Sequence, residues 1–82
     1  MTNYACPCCG YLTYSSPPGG LFDICPVCLW EDDNIQARNP DFYGGANMVS
    51  LNEAKRNFEI FGACEERFRG QTRRPLENEI PL

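Results

Sequence analysis

Two short cysteine turns constrain this chain more than any other feature of its sequence. Each is a Cys-x-x-Cys with proline directly after the first cysteine, and fifteen residues separate the two turns, close to the spacing of four-cysteine zinc sites. Such turns bring two thiolates to one side of a tight loop, so two turns supply four sulfur atoms at tetrahedral corners about 2.3 Å from an ion. The sequence therefore predicts one Zn²⁺ per chain, bound by Cys6, Cys9, Cys25 and Cys28. Iron in the same sulfur cage is the main competitor.

The residue that follows each turn differs between the two. Gly10 can take the positive φ with which such a turn ends. Leu29 holds the equivalent place in the second turn, where a side chain makes that conformation strained. We therefore expect the second turn either to store a small strain or to leave by another path, and to be the less regular of the two.

Chain length makes the predicted metal decisive for folding. A single domain of 82 residues buries a marginal core. Structural zinc contributes about 10–16 kcal/mol in finger-sized peptides, against a net domain stability of about 5–15 kcal/mol. We expect residues 1–70 to form one zinc-stabilised domain and residues 71–82, with Pro75 and Pro81, to form an extended and partly mobile tail.

Local patterns predict a small metal-stapled α+β fold. The segments Gly10–Tyr14 and Leu21–Ile24 are expected to be strands on either side of a Pro-Gly loop, which makes a zinc-ribbon-like β-hairpin. Trp30 is expected to cover the metal site. A C-terminal amphipathic helix is expected to begin at Ser50 and to pack against the ribbon through Leu51, Ala54, Phe58 and Phe61.

That helix has two predicted ends. It stops either at Gly62 or near Phe68, which continues its apolar stripe. Upstream, the acidic run Glu31–Asp33 is expected to begin a short helix or to remain solvated, and the alternative is that it binds a cation or a basic partner. Phe42 and Tyr43 are expected to anchor the following loop on the core.

The net charge and the expected cellular compartment restrict the partners and cofactors that the protein can have. The formal net charge is −4, and four zinc-bound thiolates with their ion would bring it to about −6, which disfavours nucleic acid as a partner. One basic stretch departs from this acidic balance and could contact nucleic acid; it contains Arg67, Arg69, Arg73 and Arg74. The simpler interpretation is that these arginines lie in a solvated tail and form salt bridges with the acidic body. Neither a membrane span nor a secretory signal is evident, so we expect a cytoplasmic protein, in which reduced thiols favour metal over disulfides.

Two cysteines remain outside the predicted ligand set. Cys8 lies between two ligands and Cys64 lies at the edge of the helix stripe. Both are expected to be small buried side chains, and the alternative is a reactive thiol or redox pair. We expect no enzyme activity, because the chain has no histidine and four cysteines close the coordination sphere that a catalytic zinc leaves open.

Five blocks of sequence resemble the bacterial cysteine-rich CPCC family. They are CPCCGYLT (6–13), CPVCLWEDD (25–33), GGAN (44–47), SLNEAK (50–55) and FGAC (61–64). The resemblance implies a small zinc-binding protein in which Cys6, Cys9, Cys25 and Cys28 are the metal ligands, and it implies no particular activity. Lys55 stands where arginine is common in the family.

We predict a protein-interaction module. In this hypothesis the acidic run, Trp30 and the 39–49 loop face a basic protein partner, such as a toxin that the protein neutralises. The first alternative is a nucleic-acid-associated zinc ribbon that uses the segment Arg67–Arg74. The second is a thiol redox sensor that acts through Cys8 and Cys64.

Overall fold

The computed structural model describes residues 3–20 and 22–82. Within these two ranges lie two α-helices, α1 (Asn34–Arg38) and α2 (Leu51–Phe61), and two short 3-10 turns, Glu66–Phe68 and Glu77–Glu79. The core lies where the two cysteine turns meet the N-terminal half of α2. Met1 and Thr2, at the start of the predicted domain, and Leu21, at the start of the predicted second strand, lie outside the described residues. No described helix has the length and apolar character needed to cross a membrane.

The predicted β-hairpin is wrong for the part of the chain that the structure describes. In place of strands there are two isolated antiparallel bridges, Tyr4↔Tyr14 and Ile24↔Glu31. Each bridge flanks its own cysteine turn, so Tyr14 and Ile24 do not pair with each other. The architecture of residues 3–20 and 22–82 is therefore a compact four-cysteine domain with one substantial helix and without a sheet.

Local hydrogen bonding explains why the two segments stay apart. The amides of Cys6 and Cys25 bond to carbonyls just beyond their own turns, on Tyr11 and Trp30, at 2.8 and 3.0 Å. Between the segments, Pro17 and Pro18 have no N–H to donate. The amides of the following glycines bond to the Asp32 carboxylate. Backbone groups that a hairpin would need are thus already paired elsewhere.

Helix α2 confirms the predicted C-terminal helix. The Ser50 hydroxyl accepts a hydrogen bond from the Glu53 amide at 3.1 Å, as an N-cap does. Gly62 ends the helix in the left-handed conformation, and its amide donates to the Phe58 carbonyl. The second predicted end, near Phe68, is wrong, because that residue belongs to a separate 3-10 turn.

Burial of the predicted apolar stripe of α2 decreases from the N-terminal to the C-terminal half of the helix. Leu51 and Ala54 are buried, whereas Phe58 and Phe61 are half-buried. The Phe58 ring meets Tyr11, just after the first cysteine turn, edge-on with centroids 6.2 Å apart. The helix therefore packs on the side of the molecule that carries the first turn.

The acidic run forms the start of α1. The Asp33 carboxylate is the N-cap and accepts hydrogen bonds from the amides of Ile35 and Gln36 at 2.7 and 3.0 Å. This outcome confirms that the run begins a short helix. The predicted anchors of the next loop are wrong, because Phe42 and Tyr43 are exposed.

The C-terminal tail returns to the cysteine turns. The Arg73 amide donates to the Pro26 carbonyl at 3.2 Å, and the Leu12 amide donates to the Glu79 carbonyl at 2.7 Å. Between these contacts the tail is extended apart from the 3-10 turn Glu77–Glu79. The tail therefore bridges the second cysteine turn and the segment that follows the first.

Candidate metal centre

The two cysteine turns have the same backbone geometry. The amide of the residue that follows each turn donates to the carbonyl of the first cysteine, from Gly10 to Cys6 at 2.8 Å and from Leu29 to Cys25 at 2.7 Å. Gly10 has φ +82° and Leu29 has φ +68°. The second turn is thus as regular as the first, and Leu29 adopts the strained left-handed conformation in place of a different path.

The paired turns bring four sulfur atoms together. The Sγ atoms of Cys6, Cys9, Cys25 and Cys28 all lie within 4.8 Å of one another. Across the two turns, the Sγ atoms of Cys6 and Cys28 are 3.6 Å apart and those of Cys9 and Cys25 are 3.7 Å apart. A tetrahedral site with Zn–S bonds of about 2.3 Å requires sulfur–sulfur separations of about 3.8 Å. The cluster therefore fits a single tetrahedrally bound ion, and it is the cluster that the cysteine spacing predicts.

Donors surround the sulfur atom of Cys25 in particular. Hydrogen bonding from Cys28, then from the other cysteines of the cluster, lowers the pKa of the Cys25 thiol below its ordinary value. The Thr13 hydroxyl also donates to this sulfur at 3.1 Å. In the same turn, the Trp30 amide donates to the Cys28 sulfur at 3.4 Å. The donors around Cys25 therefore stabilise its thiolate, the form that binds a metal.

Two aromatic side chains are buried in the core that contains the sulfur cluster. Trp30 is only 1% exposed and belongs to the same buried core as Cys6, Cys25 and Cys28; its place over the metal site stays a prediction. Tyr14 is also buried, and its hydroxyl donates to the Trp30 carbonyl at 3.3 Å. Burial, followed by the nearby Cys6 sulfur, raises the pKa of Tyr14, so this hydroxyl remains a proton donor. Cys9 is the one half-buried member of the sulfur cluster.

Cys8 and Cys64 are buried beside the cluster. Cys8 is 8% exposed, and Cys64 is fully buried with its amide bonded to the Cys28 carbonyl at 2.8 Å. Burial, with smaller contributions from Cys8 and Glu65, raises the pKa of Cys64 to about 12. A thiol with such a pKa is almost entirely protonated at neutral pH and is a poor nucleophile.

A buried polar network supports the second turn, and sequence reasoning did not find it. The Asn47 side chain accepts from the Glu31 amide at 2.9 Å and donates to the Glu31 carbonyl at 2.7 Å. It also donates to the side chain of Gln36, which is fully buried and bonds to the Val49 carbonyl. The signal available in the sequence was the GGAN block, which contains Asn47, but the block does not identify Glu31 and Gln36 as its partners.

The remaining acidic side chains of the run also have internal roles. The second carboxylate oxygen of Asp33 accepts from the Ala46 amide at 2.9 Å. A Cβ at Gly45 would lie 2.8 Å from that oxygen, so the close approach requires glycine. Burial opposes ionisation of Asp33, but the amides of Ala46, Gln36 and Ile35 outweigh it and lower the pKa. Asp32 is buried and accepts from the amides of the Pro-Gly loop. The run therefore organises loops more than it forms a surface.

One protein-family model matches almost the whole chain. A family model, that of the cysteine-rich CPCC proteins, matches residues 4–79. The chain belongs to the cysteine-rich CPCC family. The CPCC match includes both cysteine turns, helix α2 and the tail as far as Glu79. A search of curated proteins finds no match.

Proposed function

We propose that this CPCC protein binds one zinc ion at its four-cysteine cluster and that the ion is structural. The observation that supports this proposal is the pair of sulfur–sulfur separations, 3.6 and 3.7 Å, next to the tetrahedral value of about 3.8 Å. Four thiolates fill the tetrahedral coordination of zinc, whereas a catalytic zinc keeps one position for water or substrate. The residues of the cluster therefore act as a staple for the core.

Elemental analysis of the purified protein tests the metal. We expect one zinc per chain and a colourless protein, because zinc has a filled d shell. Removal of the ion with a strong chelator should abolish the cooperative thermal transition, and added zinc should restore it. Visible absorption with one iron per chain would contradict the assignment to zinc.

We propose further that the domain is a protein-interaction module for a basic partner. Trp30 and Asp32 are both 1% exposed, so neither can contribute the surface first expected of them. The feature that supports the proposal is a neighbouring cleft of about 250 Å³. We call it the acidic cleft; its lining includes Ile24, Leu29, Phe68, Glu31 and Glu65.

The acidic cleft combines exposed apolar surface with carboxylates. Ile24 is 58% exposed and lines the cleft together with Leu29 and Phe68, so the cleft presents apolar surface to solvent. Arg67 also lines the cleft, and it bonds to Glu65 at 2.7 Å and lies over the Phe68 ring at 4.4 Å. The carboxylate of Glu31 has no ion pair in residues 3–20 and 22–82. A partner segment with one apolar side chain next to lysine or arginine complements this lining.

Affinity capture with matched variants tests the interaction. The immobilised zinc-loaded protein is compared with Ile24→Asp, which places a charge in the acidic cleft, and with Ile60→Asp. Ile60 is 72% exposed on α2 and does not line the cleft. We expect the unaltered chain and the Ile60→Asp variant to capture the same basic protein. The Ile24→Asp variant should fail to capture it. Equal capture by all three proteins would contradict the assignment of the cleft.

The nucleic-acid alternative has a separate test. Two of the four arginines in the basic segment, Arg67 and Arg73, are ion-paired within the chain. We expect no binding of DNA or RNA at low salt in fluorescence anisotropy. Binding that weakens steeply as salt rises, and that Arg73→Ala with Arg74→Ala abolishes, would favour the nucleic-acid function.

A further inference from the structure

The C-terminal tail makes one backbone contact with each half of the metal centre. The Arg73 amide bonds to the carbonyl of Pro26, within the second cysteine turn, at 3.2 Å. Six residues later, the Glu79 carbonyl accepts from the amide of Leu12, three residues after the first turn, at 2.7 Å. The tail segment 73–79 thus connects the second turn with the segment that follows the first turn.

A bidentate ion pair holds the two ends of this segment together. The Arg73 guanidinium donates to both carboxylate oxygens of Glu79, at 2.8 and 2.9 Å. The Glu79 side chain is only 9% exposed, and one of its oxygens also accepts from the Leu76 amide at 2.8 Å. Hydrogen bonding from Arg73 lowers the pKa of Glu79, so the carboxylate is charged at neutral pH. The segment is therefore a closed loop, of which one end contacts the second cysteine turn and the other contacts the segment that follows the first turn.

We propose that segment 73–79 is a clasp that slows release of the metal. An ion held by two turns leaves only when the turns separate, because each turn contributes two of its four sulfur atoms. The clasp resists this separation, since the turns cannot move apart without breaking the contact at Pro26, the contact at Leu12 or the ion pair between them. The clasp rests on the proposed zinc site but not on the interaction function.

The rate of zinc transfer to a competing chelator tests the clasp. Zinc-loaded protein is mixed with an excess of pyridylazoresorcinol, and the coloured zinc complex is followed with time. We expect Arg73→Ala and Glu79→Gln to release zinc roughly three- to tenfold faster than the unaltered chain, because a charge-assisted bidentate contact is lost. Glu79→Gln keeps a side-chain oxygen for the Leu76 amide, so it isolates the ionic contribution.

Arg74→Ala is the matched control. Arg74 is the next residue of the tail, is exposed, and has no ion pair within the described ranges. We expect its zinc release to equal that of the unaltered chain. Release rates that are the same for Arg73→Ala and Arg74→Ala would overturn the clasp.

Amide hydrogen exchange separates a local clasp from general destabilisation. With zinc bound, Arg73→Ala should lose protection at the Leu12 amide, which bonds to Glu79, and keep protection at the Gly62 amide, which ends α2. Equal loss at both amides would overturn the clasp while leaving the zinc site intact. A metal content of zero in the unaltered protein would overturn the zinc site together with the clasp, so the two failures are distinguishable.

Discussion

The two cysteine turns share one backbone geometry, but different groups hold the segments that follow them. The first turn ends at a glycine with φ +82°, and the segment after it bonds to the distant tail. The second turn ends at Leu29, with φ +68°, and the segment after it bonds to Asn47 through the carbonyl and amide of Glu31. The first turn therefore ends in an unstrained residue, and a backbone contact supports the segment after it. The second turn ends in a strained residue, and the buried Asn47 side chain supports the segment after it.

This difference shows that the geometry of a metal-binding turn does not require a unique sequence. Leu29 is half-buried against the core and also lines the acidic cleft. A left-handed leucine costs about 1–2 kcal/mol, which the burial of its side chain offsets to a similar extent. Substitutions in each turn and in the groups that support it separate these contributions to stability.

Loss of one ligand from either turn should have the largest effect. We expect Cys9→Ser and Cys28→Ser each to lose the metal and to unfold, because about 10 kcal/mol or more of metal-binding free energy exceeds the margin of so small a domain. Metal content and circular dichroism measure the result. Cys8→Ser, whose side chain is outside the sulfur cluster, should keep one metal per chain. A folded, metal-loaded Cys9→Ser protein would show that the first turn is dispensable.

Loss of the Asn47 side chain, which supports the segment after the second turn, should have the second-largest effect on stability. Asn47→Ala leaves the amide and carbonyl of Glu31 without their partner and removes one of several hydrogen bonds to the Gln36 side chain, and we expect the free energy of unfolding to fall by about 2–4 kcal/mol. Chemical denaturation of the zinc form measures it. Asn52→Ala is the control, since Asn52 bonds to Asp41 at the surface and should cost less than about 1 kcal/mol. Equal losses in the two variants would contradict the role of the network.

Substitution of Gly10 or Leu29, the residues that follow the two turns, should have a smaller effect on stability. A Cβ at Gly10 meets no atom within 4 Å, so Gly10→Ala reports only the left-handed backbone, and we expect a loss of about 1 kcal/mol. Leu29→Gly should change stability by less than about 1 kcal/mol, because relief of strain compensates for lost packing. Thermal melting of the zinc forms checks both. A large loss for Leu29→Gly would mean that packing dominates at this position.

The last expected effect is on the reactivity of a thiol and not on stability, and it concerns Cys64, the buried cysteine beside the second turn. Cys64, with its pKa raised to about 12, should react with iodoacetamide at pH 8 roughly a hundredfold or more slowly than an ordinary thiol. Mass spectrometry of the alkylated, zinc-loaded protein measures the rate, and the same measurement on the chelator-treated chain is the control. Rapid alkylation of Cys64 with zinc bound would support the redox alternative.

The sequence by itself determined the parts of this protein whose physics is local. Turn geometry places two thiolates of each Cys-x-x-Cys together, and the structure brings together the four sulfur atoms that the spacing selects. The capped helix after Ser50 and the helix start at Asp33 also follow from patterns a few residues long. The CPCC family was visible for the same reason, since its motifs are short blocks.

Only the tertiary structure decided which distant groups complete these local units. The hairpin was expected because Gly10–Tyr14 has β-branched and aromatic residues, but partners for its backbone groups lie beside each turn and in Asp32. The partnership of Asn47 with Glu31 spans 16 residues, and that of Glu79 with Leu12 spans 67. Such pairings depend on the path of the whole chain in three dimensions, which short sequence patterns do not encode.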